Sequence, residues 1–313
     1  MHYLITGGAG FIGSHLCEAL LAAGHRLSVL DDLSTGKRDN LPDGVTLVEA
    51  DCADAAALAQ LIPQVDGVFH LAAVASVQRS REAWSETSRI NQFATITLLE
   101  AIAKDGRKLP FVYASSAAVY GDPAADYLPI AETTPTVPLT PYGADKLGSE
   151  LHARIARSLA GIPTLGLRFF NVFGPRQDPS SPYSGVISIF VNRIRAGQGV
   201  TVFGDGQQTR DFIYVGDVVR CLMAAMQVLE AGNTPPEAAL NVCTGSQTSV
   251  TQLAETVAEL CATQAQITYE AARNGDIRLS QGDASRMQQV LGIRAETGFR
   301  DGLKHTIGDV TAS

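Results

Sequence analysis

The chain has 313 residues, 45% of them hydrophobic, and a mean hydropathy of +0.08, enough for one large water-soluble domain or two coupled ones. A formal charge of −8 excludes a surface built for nucleic acid, which needs clustered Lys and Arg. No apolar run reaches bilayer length and no charged leader opens the chain, so the expectation is a cytoplasmic protein without a membrane partner.

Through the first half, short apolar runs alternate with helical periodicity. This pattern predicts an α/β fold, a Rossmann-type doubly wound parallel sheet with a smaller α/β substrate-binding lobe. Strands are expected over residues 2–6, 26–30, 46–49, 67–71, 110–114 and 163–169. Helices are expected over 12–23 and 91–104, with a third carrying Tyr142 and Lys146 after a proline-rich loop. Beyond Phe169 the rhythm changes. Residues 178–185 read as an excursion loop near a ligand, 200–203 and 211–215 as short strands, and 216–229 as a helix. Residues 240–242, 249–261 and the final stretch are assigned to the smaller lobe. The expected dinucleotide domain is thus 1–169 with 211–234, and the lobe 170–210 with 235–313. The five cysteines (Cys17, Cys52, Cys221, Cys243, Cys261) are scattered, with none at ligand spacing from a His. Reduced thiols and no metal site are expected.

Gly7-Gly-Ala-Gly10-Phe11-Ile12-Gly13 follows a predicted strand and opens a predicted helix. Glycine there permits positive φ and close backbone approach to a pyrophosphate, which the helix N-terminus favours. Asp31 ends the second strand, about 20 residues on, where an acid binds ribose hydroxyls and repels a 2′-phosphate. NAD is therefore expected rather than NADP. Asp51 ends the third strand, facing either the adenine or solvent.

Tyr142 and Lys146 share a helix face at i and i+4, and Ser116 ends the fifth strand. A free phenol titrates near ~10, so bringing it to neutrality takes about 4 kcal/mol. A lysine ammonium and an oxidised nicotinamide nearby are expected to supply it. Tyr142 then serves as general base and acid, with Ser116 holding the same oxygen.

Further strings fill out this set: His70-Leu-Ala-Ala, Ser115-Ser-Ala-Ala-Val-Tyr-Gly121, Pro141-Tyr-Gly-Ala-Asp-Lys146, Arg168-Phe-Phe-Asn171-Val-Phe-Gly-Pro-Arg176 and Gly206-Gln-Gln-Thr-Arg210-Asp211. With them the chain resembles the extended short-chain dehydrogenase/reductase family, and most of all its UDP-hexose 4-epimerase branch. The resemblance implies catalytic Ser116, Tyr142 and Lys146. It implies cofactor contacts from the glycine motif, Asp31, Asp51, Cys52, Leu71, Ala72, Ala73, Asn91 and Phe170. It implies a UDP-sugar held by Asn171, Gly185, Val186, Val202, Phe203, Arg210, Arg273, Asp276 and Ser280, with Arg210 and Arg273 on the diphosphate. A homodimer is also implied.

Sister branches that dehydrate or decarboxylate carry acids just after the active hydroxyl residue, whereas this chain has Ala117 and Ala118. What remains is oxidation and re-reduction at C4. A small Ser280, in a position that borders the sugar's C2 substituent in the family, leaves room for an N-acetyl group, and Tyr183-Ser184-Gly185 resembles the N-acetyl-processing members. UDP-GlcNAc and UDP-GalNAc are therefore expected ahead of UDP-Glc and UDP-Gal. A net 4-keto-sugar-nucleotide oxidoreductase is the first alternative, and a non-catalytic NAD-binding sensor the second.

Overall fold

The computed structural model describes residues 1–177, 185–272 and 277–312. In chain order the first half runs β1 (His2–Thr6), α1 (Phe11–Ala22), β2 (Arg26–Asp31), β3 (Thr46–Glu49), α2 (Ala55–Leu61), β4 (Gly67–His70), α3 (Val77–Glu82), α4 (Trp84–Ser88), α5 (Ala94–Asp105), β5 (Phe111–Ser116), α6 (Pro141–Ala160) and β6 (Thr164–Phe169). The second half runs β7 (Asn171–Phe173), α7 (Val186–Arg195), β8 (Val200–Phe203), β9 (Thr209–Arg210), β10 (Phe212–Tyr214), α8 (Val215–Glu230), β11 (Ala239–Val242), β12 (Thr248–Ser249), α9 (Val250–Leu260), β13 (Ile267–Glu270), α10 (Ser285–Leu291) and α11 (Phe299–Ala312).

Seven strands form one parallel sheet in the order β3-β2-β1-β4-β5-β6-β11. Their alternate side chains feed two separate cores. Tyr3, Ile5, Leu27, Val29, Phe69 and Val112 meet α1 and α8, whereas Leu4, Leu30, Val68, Phe111 and Tyr113 meet α2, α5 and α6. Chain order reverses between β1 and β4, so a crevice opens at the carboxyl ends of these strands. A third core, built from α7, β8, α9 and α11, lies in the smaller lobe.

One expected boundary is corrected. Residues 239–242 are not part of the lobe: β11 pairs with β6 as the edge of the central sheet, and α10 packs into the same core through Met287 and Leu291. All four β11 residues are buried, and the strand covers what would otherwise be the open edge of β6. The helix expected to begin at residue 91 also starts earlier. It enters through α4 and a π turn at Arg89–Phe93 before continuing as α5.

α6 has clear local causes. Pro141 occupies its first turn, the Thr140 hydroxyl accepts the Gly143 N–H at 3.1 Å, and Gly161 ends it at φ +64°. The same helix carries Tyr142 and Lys146.

Candidate active site

The glycine cradle is sterically enforced. A Cβ on Gly13 would lie 2.1 Å from the Gly7 carbonyl oxygen, and one on Gly7, at φ +71°, would meet Ala72 backbone at 2.6 Å. Gly10, Phe11 and Ile12 complete the turn into α1. Asp31 sits beside it, 7% exposed, with one carboxylate oxygen accepting the Ala9 N–H and the other the Leu33 N–H, each at 2.9 Å. Burial pushes its carboxyl up, and the two N–H donors oppose that. Leu71, Ala72 and Ala73 follow β4 as the facing wall, tied to β1 through Leu71 N–H to the Thr6 carbonyl at 3.0 Å. The cradle, the acid and this wall fit a dinucleotide.

Asn91 has a more specific place than expected. It is fully buried in the π turn, accepts the Val74 N–H at 2.8 Å and donates to the Val74 carbonyl at 3.2 Å. Its amide therefore shapes the wall through backbone. Asp51 accepts the Ala53 N–H at 2.8 Å and pairs with Arg89 at 2.7 Å, which gives the arginine-rich 79–89 segment one clear contact with the cofactor side. Cys52, next to it, is buried, and its thiol is pushed up to about 12 by burial.

Ser116, Tyr142 and Lys146 converge at the end of β5. The Tyr142 phenol lies beside the Ser116 hydroxyl, the Lys146 ammonium lies 5.9 Å from the Tyr142 ring centre, and Nζ donates to the Ala114 carbonyl at 3.0 Å. Lys146 is 3% exposed, and burial pushes it down to about 8 against the counter-pull of Asp145. Burial raises the Tyr142 phenol, and the neighbouring Ser116 hydroxyl opposes this.

The substrate-side residues separate by strand alternation. Val202 points into the lobe core at 1% exposure, while Phe203 stays half-buried on the other side of β8. Arg210 donates to the Thr209 and Ile277 carbonyls at 2.8 and 2.7 Å. Asn171 is exposed on β7, Phe170 is buried beside it, and Gly185 and Val186 form the entrance to α7. Ser280 is buried in the segment that bonds β9 through Thr209 N–H to the Arg278 carbonyl and reaches Ile130 through the Gln281 carbonyl. Arg273, Asp276, Tyr183 and Ser184 lie outside the described residues. Among the described residues no three His, Cys, Asp or Glu side chains gather as a metal site, and no helix is long and apolar enough to cross a membrane.

Two positions escaped the sequence reading. Ser80 accepts the Tyr142 N–H at 3.2 Å, and Ser88 donates to buried Asp145 at 2.7 Å, so α3 and α4 brace the first turn of α6. Nothing local in the sequence signals these long-range contacts.

Residues 3–243 match the NAD dependent epimerase/dehydratase family. The chain belongs to this family. NAD is its cofactor, and when bound it supplies a hydride acceptor and donor. The chain is 36% identical to a UDP-glucose 4-epimerase of Mycolicibacterium smegmatis, over 98% of this chain and 97% of that one. Its fold matches the UDP-glucose 4-epimerase of Thermotoga maritima, solved with UDP-glucose, at a TM-score of 0.93 and 34% identity, covering 100% and 99% of the two chains. It also matches a UDP-N-acetylglucosamine 4-epimerase of Methanobrevibacter ruminantium, in complex with UDP-N-acetylmuramic acid, at a TM-score of 0.92 and 32% identity, covering 99% and 98%. The family member thus lies in the UDP-hexose 4-epimerase branch of the extended short-chain dehydrogenases/reductases.

Proposed function

We propose that the protein inverts C4 of a UDP-hexose through a 4-keto intermediate, interconverting UDP-GlcNAc and UDP-GalNAc ahead of UDP-Glc and UDP-Gal. The observation that carries this reading is the convergence of Ser116, Tyr142 and Lys146 beside the apolar Ala117 and Ala118. Tyr142 takes the O4 proton as C4 is oxidised and returns it as C4 is reduced. Ser116 holds O4 by hydrogen bonding, and Lys146 fixes the local charge while tied to β5. Neither alanine can move a proton, which disfavours elimination or decarboxylation at the neighbouring carbons. Arg210 and Arg273 are assigned to the diphosphate and Asp276 to a ribose hydroxyl, so the nucleotide stays anchored while the hexose turns its other face.

The N-acetyl preference rests on the small side chain of Ser280. A homodimer is supported by the outer face of α6, where Leu151, Ile155 and Leu159 are exposed, more apolar surface than a solvated helix needs. The substrate test is epimerisation of all four UDP-sugars by purified enzyme without added NAD. Turnover of the acetylated pair first is expected; inactivity toward that pair removes the substrate assignment.

A further inference from the structure

Glu150 and Arg168 are 4% and 7% exposed, and the chemistry above uses neither charge. They form a two-point pair, Nε to Oε1 at 2.9 Å and Nη2 to Oε2 at 2.7 Å. The pair is not isolated. Ser115 donates to the same Oε1 at 2.5 Å, and Arg168 Nη1 donates to the Tyr120 hydroxyl at 2.7 Å with the guanidinium 4.9 Å above that ring. Tyr120 in turn donates to Asn241 of β11 at 2.7 Å.

Register shows what this network holds. Tyr142, Lys146 and Glu150 lie at i, i+4 and i+8 on one face of α6. They meet three consecutive residues of β5: Lys146 at the Ala114 carbonyl, Glu150 at the Ser115 hydroxyl and Tyr142 at the Ser116 hydroxyl. Arg168 faces Ser115 across the sheet, in the β5–β6 register. A buried ion pair adds little stability over well-packed apolar residues, so stability alone does not account for it. Its two-point geometry does fix the helix against the strand.

Resting on the reading of Ser116, Tyr142 and Lys146 as the catalytic group, we propose that Glu150 and Arg168 are positioning residues that set the Ser116–Tyr142 distance. They act on turnover and leave NAD and nucleotide affinity nearly unchanged. Misplacing reacting groups by about 1 Å costs about 100-fold in rate, which is the scale on which a slip of α6 along β5 is felt.

The test uses the NAD-loaded enzyme with Ser115→Ala and with Glu150→Met and Arg168→Met combined, the latter replacing the ion pair by apolar volume. For the double variant we expect a thermal midpoint near wild type, kcat down by about 30-fold or more, and KM within about three-fold. We also expect the Tyr142 phenol, read by ultraviolet difference titration against Tyr142→Phe, to titrate higher than in wild type as the Ser116 hydroxyl moves away from it. A kcat within about three-fold of wild type, or a kcat loss matched by the loss in affinity, overturns the proposal. If the double variant does not fold, Ser115→Ala decides: a kcat loss at unchanged thermal midpoint supports positioning, and unchanged kcat refutes it. Should wild type fail to turn over any UDP-hexose, the functional reading falls while the phenol titration still decides this one: an unmoved Tyr142 refutes it.

Discussion

Lys146→Met separates what the lysine does for the fold from what it does for the reaction. The ammonium is 3% exposed, and burial lowers it from an ordinary 10.5 to about 8. That fall is worth about 3 kcal/mol, at about 1.4 kcal/mol per pH unit. Below pH 8 the lysine is charged in both folded and unfolded chains, and the folded state bears the whole burial cost. Above 10.5 it is neutral in both, and the cost vanishes. Between these values the folded state is neutral while the unfolded state still holds the proton, so stability rises with pH. Methionine has no proton to lose. The stability of wild type relative to Lys146→Met is therefore expected to climb by about 3 kcal/mol from pH 8 to 10.5. Near pH 7 the variant is close to neutral or slightly more stable, because relief of the burial cost of about 3 kcal/mol is offset by the Ala114 carbonyl losing its donor at about 1–3 kcal/mol. Urea unfolding of both proteins at saturating NAD, from pH 7 to 10.5, measures the difference directly, with other titrating groups cancelling. Turnover of the variant is expected to fall by about 100-fold or more. A stability difference that stays flat with pH, or moves in favour of methionine, refutes the buried-charge argument.

Gly13→Ala places a Cβ 2.1 Å from the Gly7 carbonyl and is expected to abolish NAD binding; wild-type affinity in a fluorescence titration would contradict the cradle. On the proposed placement of Ser280 beside C2, Ser280→Tyr is expected to lose the acetylated UDP-sugars first, and equal loss of both sugar classes in kcat/KM counts against that pocket. Arg89→Ala removes a pair whose partners are 49% and 36% exposed, so unfolding free energy is expected to change by less than about 0.5 kcal/mol. A change beyond about 1 kcal/mol there would mean that the arginine braces the cofactor side more firmly than its exposure implies.

The strands from β1 to β6 were legible because each is a short apolar run bounded by turn residues, and the glycine motif marked the first crossover. β11 was misassigned for a physical reason. A four-residue strand after a long gap carries no sign of its partner, and only pairing to β6 places it in the central sheet. Tyr142, Lys146 and Ser116 were readable from spacing and from the position of β5. Their bracing was not, because Ser80, Ser88 and Arg168 reach α6 from 62, 57 and 18 residues away in the chain. Glu150 did leave a trace, one helical step of four beyond Lys146. Leu151, Ile155 and Leu159 recur at helical spacing, but such spacing alone does not tell a core face from an outer one, and the structure leaves all three exposed.

The central claim is that C4 is oxidised and re-reduced within one bound sugar, with Tyr142 handling the O4 proton. UDP-GlcNAc carrying deuterium at C4, incubated in ordinary water with purified enzyme and no added NAD, tests it by NMR of the product. The account predicts UDP-GalNAc with the deuterium still on C4 and no accumulation of reduced cofactor. Loss of the label to solvent, or a product formed only as external NAD is consumed, would contradict it.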